Sequence, residues 1–170
     1  KDQQWIYDPT PDFSYGLNIY LEYKNFDLTL FWQGVQGVDI ISDLKKETDL
    51  WSGLNIGFLN KGKRVLDAWT PTNPDSDIPA LSRDDVNNEK RVSTYFVENG
   101  SYLKLRNLQI GYNVPENFAK KMKMERLRLY LSAQNLLTIK SKNFTGVDPE
   151  NPNFGYPIPL NLTFGVNVSF

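Results

Sequence analysis

The 170 residues carry a formal net charge of −1 and include neither cysteine nor histidine. These absences exclude disulfides, thiolate metal sites and histidine-based catalytic triads or zinc sites. The near-zero charge gives no support for a nucleic-acid partner, which usually leaves a basic patch. Aromatic residues make up 14% of the chain, which is high for a water-soluble domain and usual for a β-barrel with aromatic girdles.

Two alternating segments near the start predict a β-hairpin. Residues 13–23 (FSYGLNIYLEY) and 26–34 (FDLTLFWQG) alternate apolar and polar side chains, and a period of two is that of a β-strand. Only Lys24 and Asn25 separate the segments, which is typical of a hairpin turn.

A long polar connection follows at residues 35–101. Val65, Leu66 and Trp69 recur at helical spacing before Thr70 and Pro71, which predicts a short helix over about residues 60–69. Connections of this length inside a compact domain usually carry function.

Residues 102–112 predict a third strand with one irregularity. The apolar side chains change parity between Leu105 and Leu108. One extra residue restores the alternation, so we expect a β-bulge near Arg106 and Asn107.

The rest of the chain predicts two more strands. A short helical turn over 115–122 leads into a fourth strand at 125–135, and a polar connection at 136–159 leads into 160–170 (LNLTFGVNVSF). The last segment alternates without error and ends on an aromatic residue. A soluble sandwich strand alternates in the same way, but this ending is typical of the closing strand of an outer-membrane barrel.

The connections are sorted by length, which favours a barrel over a sandwich. Both short connections lie at one end of the strands, and both long ones lie at the other. Outer-membrane barrels combine short periplasmic turns with long extracellular loops, and about 9–11 tilted residues cross a bilayer. The fold class predicted is therefore all-β, an antiparallel meander of about five transmembrane strands. The predicted interface girdle consists of Tyr15, Tyr23, Trp32, Tyr112 and Phe170.

Arg126, Arg128 and Gln134 share the polar face of the fourth predicted strand. Unpaired charge is very costly in a dry apolar core, so this face is open to bulk solvent or to a hydrated lumen. We favour the lumen and predict that these three side chains face it. Plug contacts or salt bridges with acidic residues are a better interpretation of the arginines than an anionic substrate.

Three aromatic residues of the first long connection, Trp51, Trp69 and Tyr95, are the candidate substrate-binding residues. Exposed loop aromatics often serve recognition, and such rings stack on sugars. The alternative is that they pack the loop onto itself or onto a lid partner.

Two acidic pairs in the loops are candidate calcium ligands, because Ca²⁺ prefers oxygen ligands. They are Asp75 with Asp77, and Asp148 with Glu150. Neither pair has the regular spacing of a calcium loop, and Pro-Asp-Ser-Asp is ordinary turn chemistry, so we predict no cofactor. The sequence also has no phosphate loop, nucleophile elbow or metal-binding helix motif, and we predict no enzymatic activity.

Five blocks of the sequence cover nearly the whole chain: PDFSYGLNIYLEYKNFDLTLFWQGVQG, LDAWTPTNPDSDIPALS, ENGSYLKLRNLQIGYNVP, ERLRLYLSAQNLLTIKSKNFTGVDPE and LTFGVNVSF. In this order they closely resemble the C-terminal barrel region of the SusC/RagA-type TonB-dependent outer-membrane transporters. Residues 144–146 read Phe-Thr-Gly where the family more often has Tyr-Thr-Gly, and Phe144 keeps the aromatic character.

The resemblance implies a multi-pass barrel of 22 strands in the outer membrane of a Gram-negative bacterium. It implies a plug in the lumen, energisation through TonB, and a SusD-like surface lipoprotein that captures oligosaccharides or peptides. Plug and TonB-contacting segments would lie outside this chain, which would contact outer-membrane lipid and the remainder of the same barrel. The resemblance also makes Phe170 part of a barrel-assembly signal.

Two other interpretations stay open at this point. A soluble carbohydrate-binding β-sandwich would bury Leu127, Leu129 and Leu131 against a second sheet. Alternatively, because the chain opens on Lys1 without an initiator methionine, we expect a fragment of a longer processed or cleaved protein, such as one piece of a barrel nicked in an extracellular loop.

Overall fold

The computed structural model describes residues 5–51, 60–85, 88–153 and 155–170. The chain divides into two compact units, called here the sheet unit and the loop unit. The sheet unit comprises Pro11–Gly37, Ser101–Ser141 and Pro157–Phe170, and the loop unit comprises Lys1–Thr10, Val38–Gly100 and Lys142–Tyr156. None of the helices in the described ranges has the length and apolar character needed to cross a membrane.

Strands dominate the described residues, and the helices are short. In chain order the elements are β1 (Phe13–Tyr23), β2 (Phe26–Gln36), β3 (Asp39–Ile41), α1 (Asp43–Thr48), β4 (Val97–Asn99), β5 (Tyr102–Asn113), α2 (Glu116–Lys121), β6 (Arg126–Lys140) and β7 (Asn161–Ser169).

The sheet unit is a five-stranded antiparallel sheet with the strand order β1-β2-β5-β6-β7. Lys24 and Asn25 form the turn between β1 and β2, and Tyr23 pairs directly with Phe26. Lys24 adopts the left-handed backbone conformation, with a φ of 55°, which two-residue hairpin turns require. The all-β antiparallel fold of five strands predicted from the sequence is confirmed.

One face of this sheet is apolar across all five strands. The register aligns a continuous row of large side chains, which are Leu21, Leu28, Ile110, Leu131 and Phe164. Leu131 is 52% exposed and Phe164 is 68% exposed. The sandwich alternative requires a second sheet over this face, and the exposure of Leu131 does not favour it.

The predicted bulge in the third strand is confirmed. The register of β5 shifts between Leu105 and Asn107, so Arg106 is the extra residue of the bulge. On the neighbouring strand β6, Asn135 adopts a left-handed φ of 56°, and the shift leaves Asn135 outside the ladder. The parity changes in β5 only: Leu105 and Leu108 share the apolar face there, whereas on β6 Ala133 and Leu137 both keep the odd-numbered positions of that face.

The fourth predicted strand was wrong at its end, because β6 continues to Lys140 instead of stopping at residue 135. The polar connection predicted to begin at residue 136 is correspondingly shorter. Pairing with β5 is the physical reason: the ladder skips Asn135 and Leu136, and it resumes where Leu137 and Ile139 pair with Leu105 and Leu103 on the same apolar face as Ala133.

The remaining strand ends differ less from their predicted positions. β2 runs to Gln36, two residues past the predicted end, because Val35 still pairs with Tyr102. The ends of β5 and β7 and the start of β6 differ from prediction by one residue, as fraying of strand ends commonly produces.

The loop unit contains the small β3–β4 ladder and α1. The Ser42 hydroxyl caps α1 by accepting a hydrogen bond from the Lys45 amide at 3.3 Å. The helix predicted over about 60–69 was wrong in type and length, since the structure has only a 3₁₀-helix at Lys63–Asp67. Gly62 offers no side-chain cap and Ala68 is already extended, so too few residues remain to nucleate an α-helix.

Candidate functional site: a polar sheet face and a loop pocket

The second face of the five-stranded sheet is polar. One cross-strand row at mid-height consists of Tyr20, Thr29, Gln109, Ser132 and Thr163. Towards the short turns the face forms a concave surface of about 600 Å³, and its charged lining residues are Glu22, Asp27, Arg126 and Arg128. Two acidic and two basic side chains therefore balance each other at this end.

An ion pair spans three strands on the polar face. Arg128 of β6 donates from Nη2 to Asp27 Oδ2 at 2.6 Å and from Nε to Asp27 Oδ1 at 3.1 Å. Gly111 of the intervening strand β5 lies beneath the pair, and a Cβ added there would overlap with Asp27 Oδ1 and Arg128 Nη2. The glycine is therefore what allows a bidentate pair, the strongest ion-pair geometry for arginine, to cross the strand.

The other predicted lumen-facing residues also lie on the polar face. Arg126 donates from Nη2 to Asn113 Oδ1 at 3.2 Å. Gln134 is exposed, and its pairing partners in the ladder are Asn107 and Asn161. The structure thus brings Arg126 and Arg128 together and places Gln134 further along β6. That this face lines a lumen stays a prediction.

Sequence reasoning missed the role of Gly111. The glycine is informative only once the register of β2, β5 and β6 is known, because Asp27 pairs with Gly111 in the ladder. The available signal was the combination of Asp27 on β2 and Arg128 on β6 with Gly111 on the strand between them.

The loop unit is organised around the carboxylate of Asp49, which is fully buried. Arg64 pairs with both of its oxygens, with Nε donating to Oδ1 at 2.6 Å. The Tyr95 hydroxyl donates to Oδ2 at 2.7 Å and the Thr48 hydroxyl donates to Oδ1 at 3.0 Å. The pKa of Tyr95 is raised well above its ordinary value of 10, mainly because the phenol is partly buried and secondly because it donates to Asp49.

A second buried carboxylate, Glu98, joins the two long connections inside the loop unit. It pairs with Lys45 at 3.1 Å and accepts hydrogen bonds from Thr145, at 2.7 Å from Oγ1 and 3.1 Å from the amide. Lys45 also donates to the Tyr95 carbonyl at 2.9 Å. The two networks therefore meet at Tyr95.

Beside Tyr95 the loop unit has a pocket of about 310 Å³, called here the loop pocket. Its apolar wall consists of Leu50, Pro79, Tyr95 and Phe96, and its polar rim consists of Asn88, Glu89, Arg91 and Ser93. Leu50 and Phe96 are buried. Pockets of this volume with an apolar wall and a few polar groups are typical of small-ligand sites.

Of the three aromatic residues predicted to bind substrate, only Tyr95 lines the loop pocket. Trp51 is 47% exposed and Trp69 is 42% exposed, and neither is among the lining residues. Leu50, Pro79 and Phe96 were missed, because they come from separate parts of the connection and no sequence pattern links them.

The acidic pairs considered as calcium ligands do not gather into a larger cluster. Asp148 is buried and accepts the Glu150 amide at 3.0 Å through Oδ1, as in an Asx turn. Asp75 and Asp77 are exposed. Within the ranges that the structure describes, no group of three or more acidic side chains is arranged to hold a metal ion.

The chain is similar in sequence to TonB-dependent receptors. TonB-dependent receptor P3 and TonB-dependent receptor P26, both from Formosa agariphila, are 40% and 35% identical to it over 99% and 95% of its length. The chain spans 17% of the length of each of these relatives. No family model matches the chain.

Two solved structures have the same fold in the matching region. The RagAB peptide importer in its open-open state and the RagAB peptide transporter match with a TM-score of 0.80 at 28% and 31% identity. In both, the match covers 96% of this chain and 18% of the other chain. The chain belongs to the SusC/RagA-type TonB-dependent receptors, and its five-stranded sheet is a segment of their β-barrel.

Proposed function

We propose that this chain is part of a TonB-dependent importer in the outer membrane of a Gram-negative bacterium. The importer takes up oligosaccharides or peptides that it captures together with a SusD-like surface lipoprotein. Its role is transport and not catalysis. The receptor names of the relatives and the peptide-importer title of the RagAB structures support this proposal.

The observation that carries the proposal is the pair of contrasting sheet faces. Large apolar side chains such as Leu131 and Phe164 are exposed on one face, while the Asp27–Arg128 pair lies on the other. In a bilayer, strands satisfy their backbone groups only by closing into a barrel. The apolar face then contacts lipid, and the polar face lines a hydrated lumen.

The proposal requires more strands than this chain contains. Within the described residues, β1 and β7 each pair on one side only, so their free edges would join further strands of the same 22-stranded barrel. The long connections then belong to the extracellular side, and the turns at Lys24 and α2 to the periplasmic side. Phe170, which is exposed, would be part of the assembly signal.

The proposed roles of individual residues follow from this orientation. Arg126, Arg128 and Gln134 face the lumen and are available to the plug. Trp51, Trp69 and Tyr95 belong to the loops that meet the ligand or the lid lipoprotein, and no cofactor takes part.

Uptake by cells tests the proposal. Cells that carry the full receptor and its lipoprotein should accumulate labelled oligosaccharides or peptides, and deletion of TonB should abolish this uptake. The purified receptor should also change its gel mobility on heating in detergent, as closed barrels do. A parent protein that stays monodisperse without detergent and never enters membranes would contradict the proposal.

A further inference from the structure

We infer that the short-turn end of the sheet unit binds the headgroup of an anionic phospholipid in the periplasmic leaflet of the outer membrane. The short-turn end is defined here as the turn at residues 24–25, the connection at residues 114–125 and the strand ends beside them. The inference rests on the proposed placement in a bilayer, and it goes beyond import because it assigns a lipid ligand to this surface.

Hydrogen bonds join the two short connections of the sheet unit. The Asn113 amide donates to the Asn25 carbonyl at 2.8 Å, and Asn25 Nδ2 donates to the Asn113 carbonyl at 3.0 Å. At the far end of the second connection, the Glu125 amide donates to the Ser169 carbonyl at 2.8 Å. The two connections are therefore fixed at one end of the sheet, and their side chains form one surface there.

Aromatic side chains end the apolar face of the sheet at this surface. Tyr23 pairs with Phe26 and Phe26 pairs with Tyr112 across the strands, and the rings of Phe26 and Tyr112 lie 4.7 Å apart. Phe118 and Met122 lie one helical turn apart, and both are more than half exposed, as are Tyr23 and Phe26. Aromatic rings of this kind favour the boundary between acyl chains and headgroups, which places the short-turn end at the depth of the headgroups.

The charge of the two short connections is positive. They carry four lysines and two glutamates, all of them exposed. These are Lys24, Lys120, Lys121 and Lys123, with Glu116 and Glu125. Glu116 engages Lys120 at 2.9 Å, but within the residues that the structure describes Lys24, Lys121 and Lys123 have no carboxylate at ion-pair distance. Since the whole chain has a net charge of −1, this end differs in sign from the rest and attracts anionic headgroups.

Two of these lysines lie over exposed aromatic rings. Lys24 Nζ is 5.2 Å from the centroid of the Tyr23 ring. Lys121 Nζ is 5.6 Å from the centroid of the Phe118 ring. A cation–π contact holds the ammonium beside the ring and leaves N–H donors for a phosphate oxygen.

The combination of rings and lysines selects an anionic lipid over other ligands. A phosphodiester can accept hydrogen bonds from the ammonium groups while its acyl chains cover the neighbouring rings and remove them from water. A zwitterionic lipid also brings a phosphate, but the lysines repel its second, cationic group. A soluble anion would leave the rings in water.

Native mass spectrometry of the full receptor tests the inference. The receptor is released from detergent after equilibration with phosphatidylglycerol or with phosphatidylcholine. We expect phosphatidylglycerol to bind about tenfold more tightly at low ionic strength, and added salt should reduce the difference. Glycerol 3-phosphate carries the charge without the acyl chains and should not displace the lipid.

Combined substitutions assign this preference to the short-turn end. A receptor with Lys24→Gln, Lys121→Gln and Lys123→Gln should bind the two lipids about equally, since each lysine near an anionic lipid contributes about a fivefold factor. Arginine at the same three positions keeps the charge and should retain the preference. The matched control changes three exposed basic residues of the long connections and should have no effect. Its substitutions are Lys63→Gln, Arg83→Gln and Lys142→Gln.

The outcomes separate this inference from the proposed function. In a receptor that still carries out TonB-dependent uptake, equal binding of the two lipids would overturn the lipid site and leave the importer standing. Equal losses in the short-turn and control variants, or displacement by glycerol 3-phosphate, would overturn the lipid site too. A short-turn variant that keeps its lipid preference but loses uptake would assign the surface to a protein partner and overturn the lipid site. Loss of all TonB-dependent uptake in the native receptor would overturn the importer itself.

Discussion

The sheet unit and the loop unit distribute their polar and apolar side chains in opposite ways. In the sheet unit, large apolar side chains such as Phe164 are exposed along a whole face. In the loop unit, the side chains that are almost completely buried include Ser42, Glu47 and Asp49. A membrane segment takes its apolar environment from lipid, whereas a loop region in water must build its own interior from the residues available.

The difference follows from how each unit satisfies its backbone. The strands of the sheet unit pair over nearly their full length, so few side chains are needed to fix the fold. Among the described residues of the loop unit the ladder structure is small, with β3 paired to β4, and the buried carboxylates of Asp49 and Glu98 tie separate segments together by accepting several hydrogen bonds each. Stability in the loop unit should therefore depend on few residues, and stability in the sheet unit on many.

The largest effect is expected at Asp49. Asp49→Asn keeps the size of the side chain but leaves the Arg64 guanidinium without its charged partner. Removal of one partner of a fully buried pair costs about 3–5 kcal/mol, and because the Arg64 side chain is 35% exposed, we expect a loss near the lower end of that range. Hydrogen exchange of the full receptor should show faster exchange across 38–100 and unchanged exchange in β1 and β6.

Asp43→Asn is the matched control for that change. Asp43 is in the first turn of α1 and pairs with Lys46 at 3.1 Å, but its side chain is 46% exposed. Exposed pairs contribute about 0–1 kcal/mol, so exchange should barely change. Equal effects of the two substitutions would show that the buried network does not hold the loop unit.

Substitutions at two neighbouring residues of β7 test the contrast between the two sheet faces. Phe164→Arg places a charge on the apolar face near the middle of the strand, which costs about 2–4 kcal/mol at the bilayer midplane. Thr163→Arg places the same charge on the polar face and should be tolerated. Urea unfolding in lipid vesicles measures both, and equal losses would contradict a lipid-facing assignment.

A smaller effect is expected at Gly111, under the Asp27–Arg128 pair. Gly111→Ala forces the pair to move, and overpacking of this kind costs about 1–3 kcal/mol. At Gly16 an added Cβ would lie 3.3 Å from Phe31 Cε2, so Gly16→Ala should cost less. Unfolding midpoints of the two variants compare them directly, and a larger loss at Gly16 would show that the ion pair is not restrained by Gly111.

The sequence predicts more of the sheet unit than of the loop unit, because strands have a local sequence period and the loop network has none. Strands such as β1 repeat a local period of two, so the sequence itself shows both their extent and their faces. That advantage ends at an irregularity: Leu136 places an apolar residue at an even-numbered position of β6. The last five residues of β6, which continue the ladder with β5, were therefore assigned to a loop.

The loop network carries no comparable local signal. Asp49 meets Arg64 across 15 residues and Tyr95 across 46, and no periodicity relates such positions. Tyr95 was selected as an exposed aromatic residue, but its hydroxyl is committed to Asp49. Its contribution to the pocket became apparent only from the packing of Leu50 and Phe96 beside it.

The smallest effect is expected in the turn between β5 and β6, where charge is neither buried nor part of a network. Glu116 and Lys120 of α2 pair at 2.9 Å on the surface, and the hydrogen bond and charge of Lys120 lower the pKa of Glu116 below its ordinary value of 4.5. A lowered pKa in the folded state contributes stability that is present above pH 4.5 and is lost as the pH falls through the folded-state value. Glu116→Gln should therefore cause a slight loss of stability at pH 7 that shrinks as the pH falls below 4.5, measured as the shift in the unfolding midpoint of the receptor. Lys121→Gln removes a neighbouring charge outside this pair and should not reproduce that pH dependence. If it did, the effect would come from the general charge of the turn and not from the Glu116–Lys120 pair.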